Sequence, residues 1–317
     1  MSVLHPQTQA MVDAVARMNL VPPDKLSVEQ AREQFRRSRI PFVAPPQAVG
    51  SAIDAAIPGP AGKLRIRAYR PLGSRPDEPL PAMVYFHGGG WVFGDLDSHD
   101  PLCRELSNLA RCAVVAVDYR LAPEHRFPAA VEDATFAIRH VARHAAELSI
   151  DGSRLAAGGD SAGGNLATVA ALTLRDQGGP QLRLQVLIYP VTDFSIDAPS
   201  YARIVNGFTL TMERMRYFRE SYLRGPADVS DWRASPLRAD DVSRLPPALL
   251  IAAGHDPLVD EGKAYADRLR AAGVPVTYTC YEGMVHGFVS MAGAIDAGHT
   301  AIAEAAAALK RAFSAAR

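Results

Sequence analysis

Gly159-Asp160-Ser161-Ala162-Gly163 fits the pattern G-x-S-x-G. It lies between an apolar run, Arg154-Leu155-Ala156-Ala157-Gly158, and a stretch of helical periodicity over 162–176. A strand, a tight turn and a helix in that order form the setting in which this motif presents an exposed serine. A serine hydroxyl is a poor nucleophile until a base takes its proton, so the motif asks for partners elsewhere in the chain. Gly159 and Gly163 suit a turn in which larger side chains would crowd the packing. Ala162 places its backbone N–H at the first turn of the new helix, where partial positive charge favours a developing anion. The same five residues also describe an ordinary glycine-rich turn capped by a serine, and the surrounding chain has to decide between the two.

Upstream, Met83-Val84-Tyr85-Phe86 reads as a strand and runs into His87-Gly88-Gly89-Gly90-Trp91. A glycine-rich loop after a strand offers backbone N–H groups to an oxyanion. No Gly-Lys-Ser/Thr follows, so a phosphate loop is not indicated. Further strands are expected at 62–70, 113–117, 154–158, 184–189, 248–252 and 276–281, and helices at 97–111, 128–147, 162–176, 259–272 and 293–315. Ile295, Ile302, Leu309 and Phe313 recur on one face of the last. Strands alternating with helices predict an α/β fold with a mainly parallel sheet and helices on both faces. Residues 1–40 read as two helices broken at Val21-Pro22-Pro23-Asp24, with Ser27 or Asp24 to cap the second. Residues 191–245 interrupt the alternation with one helical pattern at 211–223. We expect a helical cap segment at 1–45 and a catalytic domain at 46–317 that carries a cap insertion at about 191–245.

Sites on such sheets gather at the carboxyl ends of strands, and the chain order expected for this chemistry is Ser, then Asp or Glu, then His. Asp256 follows the strand at 248–252, and His286 follows the strand at 276–281. The carboxylate would hold the imidazole in the tautomer that accepts the serine proton. Asp260 and Glu261 suit the capping of the helix that follows, and His299 suits a solvent-facing position. His140 and His144 lack the Glu of an HExxH zinc site. His87, which comes before the serine, suits a role in shaping the glycine loop.

Lys+Arg and Asp+Glu both number 34 in the 317 residues, which gives no reason to propose nucleic acid or an anionic membrane surface as a partner. The N-terminus lacks a signal-peptide pattern, and no apolar run reaches the length of a bilayer span. Three cysteines, Cys103, Cys112 and Cys280, cannot all pair within the chain; free thiols in a reducing, cytoplasmic setting are expected.

The motif set as a whole resembles the bacterial hormone-sensitive-lipase-like carboxylesterases (family IV esterases), within the α/β-hydrolase fold. The resemblance rests on Phe86-His87-Gly88-Gly89-Gly90-Trp91, Asp118-Tyr119-Arg120-Leu121-Ala122-Pro123-Glu124-His125, Gly159 to Asn165, Tyr189-Pro190, Asp256-Pro257-Leu258 with Asp260-Glu261-Gly262, and His286-Gly287-Phe288. It runs from about residue 60 to the end. It implies Ser161 as nucleophile, Asp256 as acid and His286 as base, with an oxyanion hole from the N–H groups of Gly88, Gly89 and Ala162. It further implies hydrolysis of short-to-medium acyl esters, no metal or organic cofactor, and a homodimer through the last strand and closing helix. Arg126 stands where the family usually has proline, and His255 where an acidic or aromatic residue is more usual. Trp91, Phe208, Leu210 and Met212 are candidates to line the substrate pocket; their alternative role is to pack the loop and cap. An amidase or arylformamidase with the same machinery, or a non-catalytic small-molecule receptor on the same fold, are the rival readings.

Overall fold

The structure is a computed structural model that describes residues 3–204 and 209–315. Two helices come first, α1 (Pro6–Arg17) and α2 (Val28–Arg39). Ser27 caps α2, accepting from the Gln30 backbone while the Gln30 side chain returns to the Ser27 N–H. That reciprocal pair satisfies two donors which the helix leaves open, and it stabilises the end by about 1 kcal/mol. The chain continues through β1 (Ser51–Gly59), β2 (Gly62–Arg70), β3 (Leu80–Phe86), α3 (Asp100–Ala110), β4 (Ala113–Asp118), α4 (Ala129–Arg143), β5 (Ile150–Asp160), α5 (Ala162–Asp176) and β6 (Leu182–Ile188). An irregular excursion follows with α6 (Pro199–Arg203) and α7 (Met212–Tyr222). The chain then re-enters the sheet at β7 (Ala248–His255) and finishes with α8 (Val259–Ala271), β8 (Val276–Val285) and α9 (Asp296–Ser314).

The strands form one eight-stranded sheet in the order β1-β2-β4-β3-β5-β6-β7-β8. β1 and β2 pair antiparallel, β2 meets β4 antiparallel, and every later neighbour is parallel. β1 is a strand to which the sequence reading assigned no element. Its side chains at Asp54, Ala55 and Ala56 are exposed at the sheet edge, so it carries little of the apolar alternation that marks a half-buried strand.

Side-chain alternation along the strands feeds two cores. From β3, Val84 and Phe86 join Ile138 of α4, Leu166 and Val169 of α5, and Leu269 of α8 on one face. Met83 and Tyr85 join Leu102 and Leu106 of α3 and Ile302, Leu309 and Phe313 of α9 on the other. Both faces are buried, so the central strands are apolar throughout rather than alternating. The apolar stripe read on the closing helix is buried as expected, including Ile295 at 0% exposure.

The N-terminal helices are fastened over the carboxyl ends of the strands. Arg32 of α2 donates from Nε to the Val92 carbonyl at 2.9 Å, from Nη2 to the Ala122 carbonyl at 3.0 Å, and to both oxygens of Glu124 at 2.7 and 2.8 Å. Arg126, in place of the expected proline, donates to the carbonyls of Glu220 and Leu223 at the end of α7 at 2.9 and 2.7 Å. Both ties bind segments outside the sheet to the loop after β4. Among the described residues no helix is long and apolar enough to cross a membrane.

Candidate active site

β5 ends at Asp160 and α5 begins at Ala162, which leaves Ser161 alone in the turn with φ 56° and ψ −116°. A non-glycine residue is held there only where its surroundings over-determine it. Here the Ser161 N–H donates to the Ile188 carbonyl at 2.8 Å, and the Ser161 carbonyl accepts from Val191 N–H at 3.3 Å. The flanking glycines are required by close backbone approach. A Cβ on Gly159 would stand 2.2 Å from the Phe86 carbonyl oxygen, and one on Gly163 would stand 1.8 Å from it.

His286 and Asp256 meet at this serine. His286 Nε2 lies 2.9 Å from Ser161 Oγ, and His286 Nδ1 lies 2.7 Å from Asp256 Oδ2. Asp256 is fully buried, and its other oxygen accepts the Leu258 N–H at 2.9 Å. The imidazole is bracketed by the Tyr189 ring at 4.7 Å, and its own backbone carbonyl accepts from Thr209 Oγ1 at 2.7 Å. Residues 125 and 30 positions apart in sequence thus form one hydrogen-bonded chain. His87 stays outside it. Its Nδ1 lies 2.8 Å from the Gly88 carbonyl oxygen, and its ring stacks on Tyr119 at 4.3 Å. Burial, and then the neighbouring His99, push its pKa down to about 4, so it is neutral at pH 7.

The glycine loop departs from the sequence reading at one position. Gly88 N–H is already committed: it donates to Asp160 Oδ1 at 2.9 Å. Gly88 is therefore not a free oxyanion donor. The N–H groups of Gly89, Gly90 and Ala162 have no backbone acceptor among the described residues. The carboxylate of Asp160 reaches under the loop and captures the first of the three glycines. Asp160 also accepts from Tyr85 OH at 2.7 Å, and His99 Nε2 lies 3.2 Å from its Oδ1. Burial opposes its ionisation, but the neighbouring His99, the Tyr85 hydrogen bond and the charge of Arg39 outweigh burial and hold the carboxyl well below the usual range. The sequence offered Asp160 only as the variable residue of the elbow.

A cavity of about 430 Å³ opens above Ser161. Its wall includes Val15 and Phe35 from the N-terminal helices, Leu210 and Met215 from the excursion, and Trp91. Trp91 is 1% exposed and stacks on Tyr222 at 4.5 Å and near Phe194 at 5.0 Å, so it both lines the cavity and packs the loop. Leu210 is on the wall as expected. Met212 is not; it is the first residue of α7 and is half-buried against the core. Phe208 lies outside the described residues. Arg39, Thr209 and Arg214 also face this cavity and were missed. As polar residues in segments of no motif, they carry no signal that a sequence reading could use.

Two other expectations change. Glu261 is a buried anchor rather than a surface capping residue. It accepts from the N–H groups of Thr192 and Asp193 at 2.6 and 3.3 Å and from the Tyr201 hydroxyl, and burial pushes its carboxyl up to about 8. His299 is paired with Glu105 at 2.7 Å rather than simply solvent-facing. The three cysteines are free, and burial pushes the Cys112 and Cys280 thiols up to about 12, which leaves them poorly nucleophilic. Among the described residues no group of His, Cys, Asp or Glu is placed to hold a metal ion.

The sequence profile of the Abhydrolase_3 family, described as alpha/beta hydrolase fold, matches residues 83–290. The chain is 46% identical over 252 residues to the carboxylic ester hydrolase LipN of Mycobacterium tuberculosis, a match covering 78% of this chain and 66% of that protein. It is 41% identical to an ethyl acetate hydrolase of Pseudomonas putida, with 87% of this chain and 88% of that one covered. The solved structure of an ester hydrolase from the metagenome of Lake Arreo, complexed with a bipyridine phosphonate derivative, superposes with a TM-score of 0.94 at 41% identity and covers 99% of this chain and 100% of that one. The serine on its strained elbow and the glycine loop beside it thus sit in a familiar frame, and the chain belongs to the hormone-sensitive-lipase-like carboxylesterase family of the α/β-hydrolase fold.

Proposed function

We propose that this ester hydrolase acts on short-to-medium acyl esters through an acyl-enzyme on Ser161, with His286 as general base and acid and Asp256 as its orienting carboxylate. The observation that carries the reading is the unbroken chain Ser161 Oγ to His286 Nε2 to Asp256 Oδ2, at 2.9 and 2.7 Å. As Ser161 Oγ attacks the ester carbonyl, its proton passes to Nε2. Asp256, already receiving Nδ1–H, stabilises the imidazolium that results. The carbonyl oxygen becomes an oxyanion facing the N–H groups of Gly89, Gly90 and Ala162. Each such donor, fixed before reaction, is worth roughly a hundredfold or more in rate. His286 then returns the proton to the leaving alcohol. A water deprotonated by the same imidazole attacks the acyl carbonyl, and collapse of the second tetrahedral state releases the acid and restores Ser161.

The cavity of about 430 Å³ supports the chain-length part of the reading, since it is of the size that takes a small ligand. α1, α2 and the 191–245 excursion act as the cap over it. The implied homodimer through β8 and α9 belongs to the same proposal, as does a reducing compartment, which the three free thiols favour. The test is turnover of a p-nitrophenyl ester series. Ser161→Ala should fold and abolish hydrolysis and fluorophosphonate labelling, and activity should fall steeply from butyrate to palmitate. Full activity in the variant would sink the assignment of the nucleophile, and preference for the palmitate would sink the chain-length reading.

A further inference from the structure

We propose that the wall of the cavity formed by Arg39 and Arg214 is an anion subsite, and that esters bearing a free carboxylate are favoured substrates. The inference rests on the reading of Ser161 as an esterase nucleophile and names the class of ester.

Arg39 is the last residue of α2. A basic residue there ordinarily complements the helix dipole from the surface, and Arg36 and Arg37 do so, exposed and paired with Glu33. Arg39 differs from them. It faces the cavity, its Nη2 donates to Ser290 Oγ, and its guanidinium carbon lies 5.0 Å from the Phe35 ring centroid. Its Nε is buried and has no hydrogen-bond partner among the described residues. Arg214 comes from α7. It lines the same cavity and donates from Nη1 to the Thr209 carbonyl at 2.9 Å. Neither guanidinium forms an ion pair among the described residues.

The carboxylates on the cavity wall are Asp160, Asp193 and Glu213. Asp160 serves Gly88, Tyr85 and His99. Asp193 is paired with Arg238 at 2.9 Å. Glu213 is exposed. Two guanidinium groups therefore share a partly desolvated space without an ion pair to either among the described residues, and Asp160 acts on Arg39 through its charge and not through a hydrogen bond. Burial, and then the charge of Arg39, hold Arg214 below its ordinary pKa, as mutual repulsion requires. Unpaired charge in such a place is costly, and a carboxylate, with its two oxygens matched to the guanidinium fork, would relieve it.

The subsite is coupled to the reacting histidine. Thr209, which accepts from Arg214, donates to the His286 carbonyl at 2.7 Å. Ser290, which accepts from Arg39, donates to the Gly287 carbonyl at 2.9 Å. A substrate carboxylate held by these guanidinium groups would fix the ester against Ser161, so the gain should reach kcat as well as KM. The carboxylate undergoes no chemistry; the ester bond breaks as for a neutral substrate.

The experiment compares kcat/KM for a charged ester and a neutral one of similar size in a pH-stat at pH 7.5. Monoethyl succinate against ethyl butyrate places the carboxylate on the acyl side; acetoxyacetate against ethyl acetate places it on the alcohol side. In the wild type at least one charged-to-neutral ratio should be about one or above, and the larger ratio identifies the side. Arg39→Met and Arg214→Met should each lower that ratio about tenfold or more, the scale expected for losing one partner of a close charge pair, and Arg39→Lys should restore part of it. Wild-type ratios below about one-tenth, or ratios unmoved by both methionine variants, overturn the subsite while leaving the esterase intact. Should no ester at all be turned over, the esterase reading fails instead. Calorimetric titration of wild type with succinate then decides the subsite alone: binding weakened in Arg39→Met upholds it, and no binding overturns it.

Discussion

Replacing Asp160 by alanine removes the acceptor on which the glycine loop stands. Three groups converge on that carboxylate: Gly88 N–H at 2.9 Å, Tyr85 OH at 2.7 Å and His99 Nε2 at 3.2 Å. Tyr85 and His99 are 0% and 3% exposed, so water cannot take over without opening the core. Each buried donor left without a partner costs about 1–3 kcal/mol. Two certain donors, set against relief from burying a carboxylate, give a net loss of roughly 3 kcal/mol. Gly88 also fixes the peptide that leads into Gly89 and Gly90. Losing that anchor should loosen donors whose value depends on preorganisation, and kcat should fall about ten- to a hundredfold with KM changed little. An asparagine at the position keeps an oxygen for Gly88 and Tyr85 and should recover most of both losses. Urea denaturation and p-nitrophenyl butyrate kinetics on Asp160→Ala and Asp160→Asn supply the measurements. Stability within about 0.5 kcal/mol of wild type and unchanged kcat in the alanine variant would refute the reasoning, because a buried acceptor with these partners cannot be lost without cost.

Two further outcomes follow from the same geometry. Gly163→Ala should cost roughly 3 kcal/mol or prevent folding, since its Cβ would sit 1.8 Å from a backbone oxygen that cannot move aside, whereas Gly225→Ala, with nothing within 4 Å, should be tolerated; equal melting temperatures for the two would contradict this. His87, held at about 4 in the folded state against about 6.5 when unfolded, makes the unfolded chain bind more protons between those values. Its contribution is complete above pH 6.5 and is lost as pH falls from 6.5 through 4, by roughly 3 kcal/mol in all. Urea melts of wild type and His87→Gln between pH 4 and 7.5 should therefore converge in acid, and parallel curves would exclude His87 as a source of acid sensitivity.

The parts legible in the sequence were those in which local chemistry and local pattern coincide. Apolar runs at β3, β4, β5 and β7 and the stripe of α9 placed the sheet and its covering helices. The order Ser161, Asp256, His286, with each residue just past a strand, was enough to nominate three groups that the fold brings within hydrogen-bond reach. β1 was not legible, because an edge strand exposed to water does not need the alternation that reveals a strand. The first glycine of the loop was misassigned because its N–H is captured from 72 residues away, by a carboxylate that the motif leaves variable.

The α/β architecture was written in the sequence, as was the nomination of Ser161, Asp256 and His286 as one group. Hydrophobic period, glycine at forced turns and the chain order of nucleophile, acid and base are all properties of neighbours along the chain. The capture of the Gly88 N–H by Asp160, the internal anchoring by Glu261 and the arrival of Arg39 and Arg214 at one cavity were set by the tertiary structure. Those outcomes depend on which donors and charges meet in space and which lose their water, and the distances that settle it are set by packing between elements remote in the chain.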